Sequence, residues 1–299
     1  MTEYRAHFDA AVEFTNGGGL TANAFRLDLP SEDANVEELF VKHLGLALVG
    51  SVTLTNLQIV EEQHRGSRGI EAAPLPVQKT VVDLSHTISD GLVTYPGLPA
   101  PVITPHLTRE ASSKSYAPGT QFAMDIITMI GNTGTYLDSP FHRYEGGTDL
   151  AGLDLATLVD QSAEVFHLQD SSERGIPASV FFDRDVRGKA VLLHTGFDVN
   201  FGTPAYAKDA PFLTAEGTRY LVEQGVTAVG IDSLNIDNTD QDAAGERPAH
   251  TLLLDAGIHV IEHLTNLGAL PASGSRFSAV PPKVVGFGTF PVRAYATLG

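Results

Sequence analysis

The sequence predicts an α/β protein that is preceded by a small α+β module. Residues 4–14 alternate apolar and polar side chains, and two further predicted strands and one stretch with helical spacing follow within residues 1–65. From residue 80 onward, short apolar runs instead alternate with amphipathic segments, which is the pattern of an α/β core. Between them, residues 66–79 carry charge, glycine and proline without any period. The predicted organisation is therefore a module over 1–65, a linker over 66–79 and a main domain over 80–299.

The N-terminal module is predicted to have the order ββαβ. In residues 4–14, every second side chain is apolar and most of those between are polar, as in a half-buried strand. A glycine-rich turn at 16–19 leads into a second strand at 20–29. Helical spacing at 36–44 and a third strand at 52–60 complete a three-stranded sheet with one helix on a face. No catalytic constellation is visible here, so we expect a packing or assembly role.

The main domain is predicted to alternate strands with helices. A strand at 80–86 and a Pro/Gly turn region at 94–99 precede an apolar run at 122–130, which we expect to be a buried strand. Further strands are predicted at 159–168, 190–194, 226–232, 258–262, 284–287 and 292–296. Helices are predicted at 214–224, with Thr214 as N-cap and Gly225 as C-cap, and at 251–256. Such interleaving favours a mixed α/β core over a helical bundle or a β-sandwich.

Composition and charge exclude several classes of protein. No run of about 18 apolar residues is present, and no secretory signal is visible, so we expect a cytoplasmic protein without a membrane span. The net charge of −17, from 19 basic and 36 acidic residues, argues against binding nucleic acid or an anionic membrane. Cysteine is absent, so a metal site must draw on the carboxylates and the eleven histidines.

Chemically active side chains are concentrated in residues 131–142, directly behind the apolar run. The stretch contains a carboxamide, a phenol, a carboxylate and an imidazole, at Asn132, Tyr136, Asp138 and His142. Polar groups at the end of a buried strand are where α/β proteins place their chemistry. Because Pro140 makes the segment extended or turned, Asp138 and His142 can converge on one point. The alternative is a Gly/Ser/Pro turn whose polar residues have no function.

Two downstream residues extend this candidate site. His250 precedes a predicted helix, and Glu262 ends an apolar strand, where a carboxylate is costly without a partner. Asp138, His250 and Glu262 would supply oxygen, nitrogen and oxygen ligands for a divalent ion, which leaves His142 free as a base. A structural alternative stands beside this: a helix cap for His250, a turn bond for Asp138 and a buried pair for Glu262.

Other residues are candidates for contact with a substrate. His86 and His194 end predicted strands and are placed to line a pocket, although each also suits the edge of a core. Phe141 is a candidate for the apolar wall and Asn132 for a polar contact. Asp232, Ser233 and Asp237 follow a buried strand and are candidates for the same cleft.

The stretch 131–142 resembles the His-x-Gly-Thr-His-x-Asp-x-Pro-x-His motif of the cyclase family, which includes bacterial kynurenine formamidases, isatin hydrolase and polyketide-cyclase-like proteins. The resemblance runs from about residue 81 to 298 and does not cover residues 1 to about 65. It also includes Asp-Leu-Ser-His at 83–86, Tyr-Pro-Gly at 95–97, Leu-His-Thr-Gly at 193–196, Val-Gly-Ile-Asp-Ser at 229–233 and Ile-Glu-His-Leu-Thr-Asn-Leu at 261–267. An ordered set of this kind is much more specific than any one motif.

The resemblance implies a swivelling β/α-type fold: a mixed sheet with flanking helices. It implies Asp138, His250 and Glu262 as ligands of one metal and His142 as the catalytic base. The two histidines that bind the family's other metal fall on Asn132 and Tyr136. A carboxamide is a poor ligand, and a phenol with a pKa of about 10 binds only when deprotonated. The resemblance therefore implies one divalent ion, zinc or manganese, or none, and no organic cofactor.

Three functional hypotheses follow. The first is a hydrolase that cleaves an amide or lactone-type bond in a small cyclic or aromatic metabolite, with His142 as base and Tyr136 stabilising the oxyanion. The second is a metal-independent cyclase, dehydratase or isomerase that uses Tyr136 and His142, oriented by Asp138 or Glu262. The third is a non-catalytic binding or assembly protein. By resemblance we expect a homodimer or homotetramer that acts on a small molecule, without nucleic acid or membrane partners.

Overall fold

A computed structural model describes residues 2–63 and 79–299 of the chain. The chain divides into two compact units, Met1–Val77 and Gln78–Gly299. Apart from Lys79, the predicted linker at 66–79 lies outside the described residues. Within the two described ranges, no helix is both long and apolar enough to cross a membrane.

The N-terminal unit is a three-stranded antiparallel sheet with one helix against it. Its elements are β1 (Thr2–Phe14), β2 (Gly19–Leu29), α1 (Val36–Leu44) and β3 (Val49–Gln63). β1 lies between β2 and β3. The helix packs on the sheet through Phe40, whose ring meets that of Phe8 edge-on at 5.3 Å. Asn35 caps the first turn of α1, and Gly45 ends it with φ of 63°. The predicted ββαβ order is confirmed.

The second unit is built on a mixed nine-stranded sheet. Its first elements are β4 (Thr80–Asp83), β5 (Val102–Leu107), α2 (Arg109–Ser112), β6 (Met124–Thr128), β7 (Tyr136–Asp138), β8 (Gln161–His167), β9 (Gly175–Ile176) and β10 (Ala190–His194). The remaining elements are β11 (Phe212–Leu213), α3 (Ala215–Gln224), β12 (Ala228–Ile231), α4 (Pro248–Asp255), β13 (His259–Glu262), β14 (Ser273–Ser278), β15 (Thr289–Pro291) and β16 (Tyr295–Leu298). The strand order of the large sheet is β15-β7-β13-β12-β10-β8-β14-β16-β4.

The centre of this sheet is parallel and its flanks are antiparallel. β8, β10, β12 and β13 run parallel, while β7, β15, β14, β16 and β4 join antiparallel to their neighbours. Successive residues of β10 enter two separate cores, because Leu192 belongs to one and Val191 and Leu193 belong to the other. α3 and α4 contribute Leu221 and Leu253 to the second core. Both faces of the central strands are therefore covered, which explains their continuous apolar runs.

The caps of α3 are as predicted, but the apolar run at 122–130 is not the buried strand that we expected. Thr214 accepts a hydrogen bond from the Gly217 amide, and Gly225 ends the helix with φ of 66°. By contrast, β6 pairs with β5 in a separate two-stranded hairpin, and all five of its residues are exposed. The apolar composition of a strand does not by itself show whether other parts of the chain pack over it. The strand predicted at 284–287 is also displaced: the structure has β15 a few residues later, at Thr289–Pro291.

His259, at the start of β13, is expected to make the fold sensitive to acid. Its ring is buried, and burial lowers its pKa to about 4. Its Nε2 lies 2.9 Å from the Thr157 hydroxyl, and its Nδ1 has no partner in the described part of the chain. The unfolded chain takes up this proton near pH 6.5, whereas the folded protein resists it down to about pH 4. The free energy of unfolding should therefore fall by about 3 kcal/mol as the pH falls through that range.

Urea unfolding of the wild type and His259→Gln at pH 7.0 and pH 4.5 measures this effect. Glutamine keeps a polar contact for Thr157 but does not titrate. We expect the variant to lose less stability than the wild type between the two pH values. An equal loss in the two proteins would contradict the assignment.

Candidate active site

Three segments of the second unit meet at one edge of the large sheet. β7 and β13 are antiparallel neighbours, with Tyr136 opposite Glu262 and Asp138 opposite Val260. The 3₁₀ turn Pro140–His142 follows β7, and α4 carries His250. Asp138 and Glu262 are almost fully buried, whereas the His142 side chain is 35% exposed. Residues that are more than a hundred positions apart in the chain are thereby brought together.

A cavity of about 500 Å³ opens beside these segments. Five residues of the predicted site line it: Asn132, Tyr136, His142, His250 and Glu262. Tyr95 and Leu98 contribute apolar surface to its wall. A volume of this size suits a small-molecule ligand.

Asp237 orients the imidazole of His250. Its carboxylate accepts hydrogen bonds from the backbone amides of Ala249 and His250, at 2.6 and 3.0 Å, and lies 2.7 Å from His250 Nδ1. Because a carboxylate can only accept, Nδ1 carries a proton, and Nε2 has its lone pair available whenever the ring is neutral. Nε2 lies 3.6 Å from Asp138 Oδ2 and 3.6 Å from Glu262 Oε1. Asp237 is therefore a positioning residue; the sequence suggested only that it faces the cleft.

Thr289 connects Asp138 to His142. Its hydroxyl donates a short hydrogen bond to Asp138 Oδ1 and lies 2.8 Å from His142 Nδ1. Since its single proton is directed at Asp138, His142 Nδ1 must be the donor to the threonine oxygen. His142 Nε2 is then left unprotonated and able to accept a proton. Sequence reasoning missed Thr289, which lies 147 residues from His142 and in no recognised motif.

Tyr136 lies within a buried chain of hydrogen bonds. Its hydroxyl donates to Glu262 Oε2 at 2.6 Å and lies 3.2 Å from His263 Nε2. On the other side of the His263 ring, the Tyr206 hydroxyl lies 2.9 Å from Nδ1. Burial raises the pKa of Tyr136 well above 10, and the charges of Glu262 and Asp138 raise it further. Tyr136 therefore stays protonated, which suits a hydrogen-bond donor and not a metal ligand.

The charges around His250 favour a cation. Burial alone would lower the pKa of His250, but the charge of Glu262 and the neighbouring carboxylates of Asp138 and Asp237 raise it well above its usual value. Burial raises the pKa of Glu262 above its usual range, although the charge of His250 opposes this effect. Three carboxylates around one imidazole form a site that stabilises additional positive charge.

The residues here fit one divalent ion. Asp138 Oδ2 is buried and has no hydrogen-bond partner among the described residues. Its 3.6 Å separation from His250 Nε2 is too long for a hydrogen bond and close to the roughly 3.4 Å between two ligands of a tetrahedral zinc ion. Asp138, His142 and His250 offer ligand atoms that all lie within 4.8 Å of one another. This group differs from the predicted set, because His142 stands in it and Glu262 does not.

The remaining predicted substrate contacts lie in different surroundings. Phe141 lines a second cavity of about 320 Å³, together with Asn132 and His142. The ring of His86 stacks on Phe201 with centroids 3.7 Å apart. His194 Nδ1 lies 2.8 Å from His167 Nδ1, at the paired ends of β10 and β8. Neither His86 nor His194 lines the 500 Å³ cavity, whose wall comes from other strand ends and loops.

The chemistry that this cavity supports is hydrolysis, because one imidazole is free to accept a proton beside a group that suits a divalent ion. The Cyclase family model matches residues 82–238, which is just over half of the chain. The chain belongs to the cyclase family, and it is a hydrolase of that family.

Several known proteins are similar to this chain. The kynurenine formamidase of Geobacillus thermodenitrificans is 28% identical over 214 residues, which is 71% of this chain and 95% of that protein. A solved structure described as a potential metal-dependent hydrolase with cyclase activity is 26% identical, with a TM-score of 0.59 over 73% of this chain and 98% of that one. The structure of isatin hydrolase A from Labrenzia aggregata is 22% identical, with a TM-score of 0.63 over 74% of this chain and 94% of that one. This likeness shows a shared fold.

Proposed function

We propose that this chain hydrolyses an amide or lactone-type bond in a small cyclic or aromatic metabolite, with a divalent ion in its site. One observation carries this proposal: the buried Asp138 Oδ2, which has no partner in residues 2–63 and 79–299, faces the oriented His250 Nε2 beside Nε2 of His142. The similarity to kynurenine formamidases, whose name denotes hydrolysis of a formamide, supports the amide as the bond that is cleaved.

In this proposal Asp138 and His250 hold the ion, zinc or manganese, with Glu262 as the third protein ligand. When bound, such an ion lowers the pKa of a water molecule and polarises a carbonyl group. His142 Nε2 accepts the proton of the water whose oxygen attacks the carbonyl carbon. The same proton passes to the leaving nitrogen, or oxygen in a lactone, as its bond to carbon breaks. Tyr136 lines the cavity, and redirecting its one hydroxyl proton from Glu262 to the developing oxyanion would stabilise that charge. Thr289 keeps His142 in the reactive tautomer.

Metal analysis combined with turnover tests this proposal. The full chain is purified without chelator, its metal content is measured by mass spectrometry, and it is assayed with formanilide, isatin and a six-membered lactone. We expect one equivalent of zinc or manganese per chain, turnover of at least one substrate, and a loss of at least about 100-fold with EDTA that the ion reverses.

Two results would contradict the proposal in different ways. Full activity in protein without the ion would favour the metal-independent chemistry of Tyr136 and His142. Absence of turnover for every amide and lactone, in protein that holds the ion, would reject hydrolysis of these bonds.

A further inference from the structure

The cavity wall carries two arginines that the proposed hydrolysis does not use. We infer that the substrate bears a carboxylate, and that Arg143 and Arg247 bind it while the scissile bond lies at the Asp138 and His250 end. This inference rests on the proposed function, since it names the class of substrate that the same cavity takes. Both arginines line the 500 Å³ cavity.

The described part of the chain does not neutralise either guanidinium. Among the residues that the structure describes, Arg143 and Arg247 form no ion pair with a carboxylate. Five other arginines of this unit do form one: Arg174, Arg184, Arg187, Arg276 and Arg293. The chain has a net charge of −17, and two arginines without an acidic partner among the described residues share this cavity. Such a pair attracts an anion locally against the repulsion of the whole protein.

Arg247 is held in place by neutral groups. Its Nη1 donates to the backbone carbonyls of Asn238 at 3.0 Å and Glu246 at 2.8 Å. These bonds position the guanidinium without cancelling its charge. Its Nε and Nη2 make no hydrogen bond in the described part of the chain, and they form the planar fork that pairs with a carboxylate through two parallel bonds.

Both arginines are close in sequence to the site histidines, which would place a bound carboxylate near the scissile bond. Arg143 directly follows His142, and Arg247 precedes His250 by three residues, so each cation is carried by a segment that also carries a site histidine. Tyr95 and Leu98 add apolar wall to the cavity. Glu246 also lines it, but its side chain is exposed, where solvent screens its repulsion. These groups together suit an aryl carboxylate that carries the amide.

A matched pair of probes tests the inference. 2-Formamidobenzoate and formanilide contain the same aryl formamide and differ only by the carboxylate. Binding of each to the full chain is measured by ligand-observed NMR in EDTA, so that the carboxylate cannot bind through an ion. We expect the wild type to bind 2-formamidobenzoate about 10- to 100-fold more tightly than formanilide.

Substitutions assign this preference to the arginines. Arg247→Met and Arg143→Met, which keep an apolar stem, should each lower the preference by about 10-fold, and Arg247→Lys should retain part of it. Arg219→Met is the control, because Arg219 is exposed on α3 and does not line the cavity; it should leave the preference unchanged.

The outcomes separate this inference from the proposed function. Equal affinities in the wild type, no binding of 2-formamidobenzoate at millimolar concentration, or an equal loss for both probes in Arg247→Met would overturn the inference, even if formanilide is hydrolysed. Arginine-dependent binding of the carboxylate, with no turnover of either probe by protein that holds the ion, would uphold the inference and reject hydrolysis of aryl formamides.

Discussion

Asp138→Asn is expected to lower kcat/KM for amide hydrolysis by at least about 1000-fold and to abolish stoichiometric binding of the divalent ion. Asp138 is fully buried, and its Oδ2, which no described residue hydrogen-bonds, faces His250 Nε2. Replacing a residue that only supports a ligand already costs about 10- to 100-fold in metal affinity or activity, so the loss of the charged ligand should cost more. A carboxamide of the same shape removes the negative charge and offers a weak ligand.

The measurements are metal content after dialysis and kcat/KM on the substrate that the wild type hydrolyses. Asp154→Asn is the matched control. Asp154 caps a 3₁₀ turn outside the cavity, through a hydrogen bond from the Ala156 amide that asparagine also accepts. Circular dichroism verifies that both variants are folded. One equivalent of tightly held ion in Asp138→Asn would show that Asp138 is not a ligand.

His142→Gln is expected to lower kcat by about 100- to 10,000-fold while the chain keeps one equivalent of the ion. The expected loss is that of a general base. His142 Nδ1 is engaged by Thr289, and its side chain is partly exposed at the cavity, which suits proton transfer. The ion should remain because Asp138, His250 and Glu262 are unchanged.

This variant also distinguishes the two roles that the structure permits for His142. Its ligand atom lies within 4.8 Å of those of Asp138 and His250, so a role as third ligand is geometrically open. Loss of the ion in His142→Gln would assign that role and reject the base. His106→Gln, at an exposed histidine of β5, serves as the control and should change neither activity nor metal content.

Most of the fold was predictable because its signals are local. Alternation along residues 4–14 and the caps Thr214 and Gly225 depend on neighbours within a few positions, and the structure has β1 and α3 there. The run at 122–130 shows the limit of such signals. Its composition suits a strand, and a strand forms at Met124–Thr128, but whether the strand is covered depends on where the rest of the chain goes.

The candidate site divides in the same way. Asp138, His142, His250 and Glu262 were identifiable from residue type, position and motif. In the structure the last three line one cavity, and Asp138 lies 3.6 Å from His250 Nε2. The partners that set their protonation were not identifiable. Asp237 fixes the tautomer of His250, and Thr289 fixes that of His142. An aspartate or a threonine in a loop has no sequence signal for such a role, because the role exists only through a contact.

By itself, the sequence determined the ββαβ order of the first unit, the membership in the cyclase family and the residue types available for catalysis, since these follow from local patterns and an ordered motif. Only the tertiary structure decided which nitrogen of His142 and of His250 is engaged by a neighbour and that Tyr136 donates to Glu262. It also decided that Arg143 and Arg247 line one cavity without acidic partners among the described residues. Those properties depend on distances between atoms that are far apart in the chain, and such distances are set by the antiparallel pairing of β7 with β13 and the docking of α4.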